Sequence, residues 1–142
     1  MNKKKYITAS MVVFVVFFIL EMINSLILGS SYENYPEFFV AGIGGIGLFY
    51  TIIKSLIFGF IFCFIFTKGY EEKGILEGVR YGLWIGLLLF VYIMFSSWAI
   101  FKISKIISFW WLILGVIEMI ILGIITAAIY KPAKVEAEAP KQ

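Results

Sequence analysis

Four long apolar runs, separated by short polar segments, set the pattern of this 142-residue chain. They cover residues 6–28, 42–66, 82–101 and 106–130, and each is close to the roughly 20 residues that a helix needs to cross a bilayer. None of the runs alternates apolar with polar residues, as the strands of a membrane barrel do. Lipid offers no hydrogen-bond partners, so backbone groups must pair within each segment, as in a helix. The pattern predicts an all-α membrane protein with four transmembrane helices in an up-down bundle.

The polar segments set the predicted boundaries of the helices. The segment 68–80 carries Glu71 and Glu72 near its start, and acidic residues suit a helix N-terminus. We therefore expect the third helix to begin near Glu71 and to cover 71–101, while the other helices keep the bounds of their apolar runs. A charged, proline-containing tail closes the chain. The sequence thus predicts a membrane domain over 1–132 and a disordered tail over 133–142.

The first apolar run follows three lysines, an arrangement that a signal peptide also shows. Gly29 and Ser31 would provide a tolerable cleavage site. The apolar run continues to about Leu28, however, which is longer than the core of a typical signal peptide. A retained helix is therefore favoured over a cleaved signal.

Lysine and arginine are distributed unevenly over the two ends of the predicted bundle. With both termini and the segment 68–80 on one side, that side holds nine basic residues, which are Lys3, Lys4, Lys5, Lys68, Lys73, Arg80, Lys131, Lys134 and Lys141. The opposite side holds Lys102 and Lys105. Because basic loops stay in the cytoplasm, both termini are predicted to be cytoplasmic, in a plasma (inner) membrane. The net charge of +3 reflects this topology, so we expect the lipid bilayer as a partner and no nucleic acid.

The composition restricts the chemistry available to the chain. Hydrophobic residues make up 62% of the sequence and charged residues 15%, which is more apolar surface than a soluble domain of this length can bury. There is no histidine, and Cys63 is the single cysteine. The usual general base, the usual metal ligand and any intrachain disulfide are therefore missing. We expect no metal, no cofactor and no enzymatic activity.

Small residues recur at intervals of four or eight positions in three of the predicted helices, which places them on one face of each helix. They are Gly74, Gly78, Gly82 and Gly86 in the third helix, Gly47, Thr51, Ser55, Gly59 and Cys63 in the second, and Gly115, Gly123 and Ala127 in the fourth. Such faces allow close helix packing in lipid. The favoured interpretation is packing within the bundle, with the third helix against the second or fourth. The alternative is a surface for a homo-oligomer or for another membrane protein.

Three ionisable residues, Glu21, Lys54 and Glu118, lie within the apolar runs. Lys54 and Glu118 each lie twelve residues after the predicted outer start of their helix, roughly 18 Å deep, whereas Glu21 lies roughly 10 Å deep. We therefore expect Lys54 and Glu118 to be partners, with Glu21 close above and Asn24 beside it. Two acids and one base leave one negative charge, so either one carboxyl is protonated or a cation is bound. The polar centre predicted here, Glu21, Asn24, Lys54 and Glu118, forms either a functional site or a structural ion pair.

Two short motifs carry a resemblance to known sequences. The segment 68–82 reads KGYEEKGILEGVRYG, and residues 129–132 read IYKP. In these motifs and in its layout the chain resembles a group of small bacterial four-helix integral membrane proteins. The resemblance implies the fold and supplies no activity, but it does imply that Glu77 and Arg80 matter for more than solubility. These two residues are three apart on one helix face, where they could pair.

Two functions remain open from the sequence. The favoured one is a non-catalytic helix-packing or accessory subunit, because three helices carry small-residue faces and the catalytic inventory is poor. The alternative is a small transporter or ligand-binding module with a proton- or cation-linked polar centre. Convergence of Glu21, Lys54 and Glu118 on a cavity would favour the second function, and dry packing of the three would favour the first.

Overall fold

The computed structural model describes residues 2–35 and 45–130. Its helices are α1 (Lys3–Tyr32), α2 (Ile46–Gly69), α3 (Ile75–Ile100) and α4 (Lys105–Tyr130). Each of the four is long and apolar enough to cross a membrane, so the all-helical, four-helix part of the prediction is confirmed. The predicted tail over 133–142 and the predicted start of the second helix at residue 42 lie outside the described residues.

α1 is longer at both ends than its apolar run. It begins after Asn2, whose side-chain oxygen accepts a hydrogen bond from the Lys5 backbone N–H at 3.2 Å, as an N-cap residue does. It continues through Gly29 to Tyr32, four residues past the predicted end. The indole N–H of Trp111 in α4 donates to the Tyr32 hydroxyl at 2.9 Å. This tertiary contact outweighs the weak helix propensity of the last turn.

The segment between α2 and α3 corrects the predicted start of the third helix. α3 begins at Ile75 and not near Glu71, and Gly74 precedes it with a φ of 81°. The carboxylate of Glu77 accepts hydrogen bonds from the backbone N–H groups of Glu71, at 2.6 Å, and of Lys73, at 2.9 Å. The acidic start of the segment is therefore a loop that folds back over the first turn of α3.

The expected pair between Glu77 and Arg80 is also corrected. Both oxygens of Glu77 are bound to the loop backbone, whereas Lys73 forms an ion pair with Glu71. Hydrogen bonding and attraction to Lys73 hold the pKa of the Glu71 carboxyl below its usual value. Among the described residues Arg80 makes no hydrogen bond and no ion pair, although its charge also acts on Glu71.

α3 and α4 are antiparallel and approach so closely that their backbones touch. A Cβ added at Gly78 would overlap the carbonyl of Gly123, and one added at Gly82 would overlap the carbonyl of Met119. At Gly86 an added Cβ would lie 3.0 Å from the Cα of Val116, so the approach is slightly wider there. Close packing of backbones over small residues is typical of membrane helices. The glycine face of the third helix therefore packs against the fourth.

The two terminal glycines of the predicted faces behave differently from the rest. Gly74 precedes α3 and has nothing within 4 Å of an added Cβ, so it takes no part in the packing face that we predicted for it. Its left-handed backbone is what requires glycine at this position. Gly47 lies in the first turn of α2, where its carbonyl accepts a hydrogen bond from the Thr51 hydroxyl at 3.0 Å.

α1 packs antiparallel against both α2 and α4. Gly59 of α2 lies against α1, where an added Cβ would lie 3.0 Å from the carbonyl oxygen of Ser10 and the nitrogen of Phe14. Among the described residues the shared core consists of Ala9, Val13, Phe17, Phe62, Cys63, Met119 and Leu122. α4 has the largest buried share of the four helices because it lies between α1 and α3. The glycine face of the second helix therefore serves the contact with the first.

The helix ends on the side of the chain termini, where the basic residues cluster, are joined by aromatic side chains. Tyr81 of α3 donates its hydroxyl to the carbonyl of Phe62 in α2 at 2.8 Å. Phe66 lies at the centre of a group that includes Tyr81, Tyr70 and Tyr130, with ring centroids 5.2, 5.3 and 6.5 Å away. These three tyrosines belong to the KGYE, RYG and IYKP parts of the two sequence motifs. The motifs thus meet in space at one end of the bundle.

Candidate functional site

One face of α1 supplies most of the polar wall of a cavity between the helices. Glu21, Ser25, Leu28 and Tyr32 line it at spacings of four, three and four residues, which keeps them on one side of a helix. Asn24, which directly precedes Ser25, lines the same cavity. The extension of α1 beyond residue 28 is what brings Tyr32 to this wall.

α4 forms the opposite wall at a matching spacing. Trp111, Gly115 and Glu118 lie four and three residues apart and face the same cavity. Gly115 leaves room for the ring of Phe90 from α3, which an added Cβ would overlap. Lys54 is the contribution of α2, so all four helices line the cavity.

The ion pair in the cavity joins Lys54 to Glu21. The ammonium nitrogen of Lys54 lies 2.8 Å from a carboxylate oxygen of Glu21. It also lies 5.9 Å from the centroid of the Phe17 ring, within range of a cation–π contact. The predicted partnership of Lys54 with Glu118 is therefore corrected. The side chains of Lys54 and Glu21 keep 52% and 27% of their surface accessible, so the pair lies at the open part of the cavity.

Glu118 lies deeper and has a neutral partner. The side-chain amide of Asn24 donates to a carboxyl oxygen of Glu118 at 2.7 Å, and only 4% of Glu118 is exposed. Among the described residues no ion pair joins Glu118 to a lysine or arginine. The two pairs, Glu21–Lys54 and Asn24–Glu118, bring together the four residues of the predicted polar centre.

The cavity is large enough for a small molecule, and both polar and apolar groups line it. Its volume is about 410 Å³, within the usual range of ligand sites in proteins. Carboxyl, ammonium, amide and hydroxyl groups occupy one part, and Leu28, Phe90 and Leu114 occupy another. Such a lining can hold a compact organic ligand that carries a positive charge, because the acidic groups outnumber the basic one.

Sequence reasoning missed three of the residues at this site. Tyr32 lies beyond the predicted end of the first helix at residue 28, and Trp111 lies outside the predicted polar centre, although Trp111, Gly115 and Glu118 have the spacing of one helix face. That spacing is a signal that would have found Trp111. Phe90 carries no such signal, because its place depends on the space left by Gly115 on another helix.

The remaining chemistry of the described residues is limited. Among them no group of three His, Cys, Asp or Glu side chains could hold a metal ion. Cys63 is buried as a free thiol, 3.7 Å from the Thr126 hydroxyl.

Comparison of the chain with protein-family models, with curated proteins and with solved structures found no match.

Proposed function

We propose that the protein crosses a plasma (inner) membrane four times, with both termini on the cytoplasmic side. The support is the length and apolar character of the four helices, together with the excess of lysine and arginine at the end that carries the termini. In this orientation the cavity lies in the outer half of the membrane, because Tyr32 and Trp111 belong to the ends of α1 and α4 opposite the basic termini.

Within that membrane protein, the function that we propose is non-catalytic binding of a small cationic ligand, as a binding module or transporter. The observation that carries this proposal is the cavity of about 410 Å³ on which Glu21, Asn24, Lys54 and Glu118 converge. Dry packing of these residues against each other would have favoured a purely structural ion pair. A charge left alone in the membrane costs about 3 kcal/mol or more, so the second carboxyl requires a proton or a cation.

The two carboxyl groups have different parts in this proposal. Glu21 is already neutralised by Lys54, at 2.8 Å. Among the described residues the hydrogen-bond partner of Glu118 is the amide of Asn24, which can donate hydrogen bonds but cannot neutralise a charge. Glu118 is therefore the group that exchanges a proton for the cationic ligand, and the Tyr32–Trp111 pair borders the same cavity.

Isothermal titration of the purified protein in detergent tests the proposal, with tetramethylammonium chloride as the probe. The parent protein is expected to bind saturably, with an observed heat that changes between buffers of different ionisation enthalpy, because binding displaces a proton from Glu118. The variant Glu118→Gln is expected to lose that buffer dependence and to bind at least about tenfold more weakly, the loss of about 1.4 kcal/mol.

The matched control is Glu33→Gln, which removes an acid from the exposed cap that follows α1. It should bind like the parent, and neutral tert-butanol should not saturate the site. Equal binding by Glu118→Gln and the parent, or no saturable binding by the parent, would contradict the assignment to Glu118.

A packing or accessory role, the function favoured by the sequence, stays a prediction. The observation that supports it is the exposed side of α3, where Trp84, Leu88 and Tyr92 keep 66%, 69% and 74% of their surface accessible. In a membrane this side faces lipid or a second protein. Purification from native membranes after cross-linking at Leu88 separates these cases, because a stoichiometric cross-linked partner supports the accessory role.

A further inference from the structure

The inner ends of α2 and α3 enclose a second cavity, which is separate from the polar centre. This inner groove has a volume of about 720 Å³ and is lined by Ile65 and Gly69 of α2, by Arg80 and Trp84 of α3, and by the loop between them. It exists because α2 and α3 meet through aromatic side chains such as Phe66 and Tyr81, whereas α3 and α4 meet backbone to backbone.

The inner groove contains a guanidinium without a protein anion. Glu77, the nearest carboxylate along the helix, uses both oxygens to hold the backbone of Glu71 and Lys73. Glu71 is paired with Lys73. Among the described residues Arg80 therefore has no hydrogen bond and no ion pair, although it lines a cavity. Its fork of N–H groups matches the oxygens of a phosphate.

The charges of the groove select the type of headgroup. The lining carries two acidic and two basic groups, so its formal charge is zero, but both oxygens of Glu77 are occupied by backbone N–H groups and Glu71 is paired with Lys73. Arg80 is the cation of the lining that makes no ion pair among the described residues. The phosphate of an anionic headgroup has no ammonium of its own to compete with Arg80, which favours an anionic phospholipid over a zwitterionic one.

The walls of the groove suit the remainder of a lipid molecule. Leu76 and Trp84 keep 73% and 66% of their surface exposed, and Ile65 keeps 47%. These apolar side chains border the space between α2 and α3, where an acyl chain can lie. Tryptophan prefers the boundary between headgroups and hydrocarbon, and Trp84 is one helical turn from Arg80.

We propose that the inner groove binds one anionic phospholipid, with its phosphate on Arg80 and an acyl chain between Ile65 and Trp84. This proposal rests on the membrane orientation proposed above, and it is independent of the ligand in the polar centre. The lipid fills the gap between α2 and α3 and joins the two halves of the bundle at their inner ends.

Native mass spectrometry of the full chain with equal amounts of phosphatidylglycerol and phosphatidylcholine tests this proposal. The parent protein is expected to retain one phosphatidylglycerol in preference to phosphatidylcholine. Arg80→Gln should lower that retention about tenfold, because it removes hydrogen bonds to a charged group. The matched control is Lys68→Gln, which removes one positive charge at the same end of the bundle but outside the groove lining, and it should retain the lipid.

A second variant tests the groove without a change in charge. Ile65→Trp fills the space for the acyl chain and should also lower retention of phosphatidylglycerol, while Glu118→Gln in the polar centre should not. Equal retention of the two lipids by the parent overturns the proposal. So does equal loss in Arg80→Gln and Lys68→Gln, since that result describes a general attraction of the basic surface for anionic lipid.

Discussion

Glu118 is the residue whose surroundings differ most from those of the other charged groups. Only 4% of it is exposed, and its hydrogen-bond donor is the amide of Asn24. Lys54 is held by Glu21 on the neighbouring helix. An amide stabilises either a carboxylate or a neutral carboxyl, so Asn24 tolerates a change of charge at Glu118. This tolerance is what a site that exchanges a proton for a cation requires.

Substitution of Lys54 tests the assignment of the ion pair. Lys54→Met leaves Glu21 without its cation and is expected to lower the free energy of unfolding by about 1 to 2 kcal/mol. The effect is smaller than for a fully buried charge, because 27% of the Glu21 side chain is accessible. Thermal unfolding in detergent measures it.

The double variants identify the partner of Lys54. In Lys54→Met with Glu21→Gln, stability should recover, because the unpaired carboxylate is removed. In Lys54→Met with Glu118→Gln, the two effects should add. Recovery in the second double variant and not in the first would reverse the pairing seen in the structure.

The contact between α3 and α4 is the element on which close backbone packing depends most. Gly78 and Gly82 of α3 lie against the backbone of α4 at Gly123 and Met119, and the hydroxyls of Ser97 and Ser108 lie 2.6 Å apart at the other end of the same interface. The interface therefore combines close contact at one end with a buried hydrogen bond at the other. Because its glycines are used inside the chain, they are not available for a second copy.

Gly82→Ala tests this interface. The added methyl group would overlap the carbonyl of Met119, and backbone atoms cannot move aside as a flexible side chain can. We expect a loss of about 2 to 3 kcal/mol in the free energy of unfolding. Gly86→Ala should cost less, since its nearest new contact, the Cα of Val116, lies at 3.0 Å. Unfolding in a denaturing detergent measures both variants.

The control for these variants is a helical glycine that touches no other helix. Gly29 lies in α1 and has nothing within 4 Å of an added Cβ. Gly29→Ala should leave stability unchanged or raise it by up to about 1 kcal/mol, because alanine is the better helix former. If Gly29→Ala and Gly82→Ala behaved alike, close packing at Gly82 would not be the reason for glycine there.

At the scale of the elements, the sequence predicted what depends on local pattern. The four helices follow from apolar length, and the small-residue faces on α3 and α2 follow from spacing. The start of α3 was wrong because Glu77 binds the loop backbone, and no periodicity encodes that contact. Spacing also placed Gly74 in the packing face, because spacing alone does not reveal that its backbone is not helical.

The sequence predicted the wrong partner for Lys54 because local pattern does not encode contacts between helices. Depth was counted from helix ends, and the observed end of α1 lies four residues beyond the predicted one, whereas α4 begins one residue before its predicted start. From the observed bounds, Lys54 lies roughly 12 Å from the start of α2 and Glu21 roughly 17 Å from the end of α1, whereas Glu118 lies roughly 20 Å from the start of α4. The rotation of each helix about its axis also decides which side chains face each other. This rotation is set by packing between helices, as at Gly59.

At the scale of the whole molecule, the two ends of the bundle differ in construction. The end that carries the termini is closed by an aromatic group around Phe66, which contains the tyrosines of both sequence motifs. The other half contains the cavity with Glu118 and the accessible Lys54–Glu21 pair. The motif residues therefore fasten the helices at one end, and the cavity of the polar centre lies in the other half of the bundle.

Labelling of introduced cysteines tests the proposed orientation of the bundle. Lys4→Cys and Lys73→Cys should react with a membrane-impermeant maleimide only in inverted vesicles, whereas Asn34→Cys and Lys102→Cys should react only in intact cells. The parent chain is a suitable background, because its single cysteine, Cys63, is 0% exposed. The physical reason is the excess of basic residues at the end with the termini, which resists translocation. Labelling of each site from both sides would mean insertion in two orientations, and the cavity would then open to both compartments.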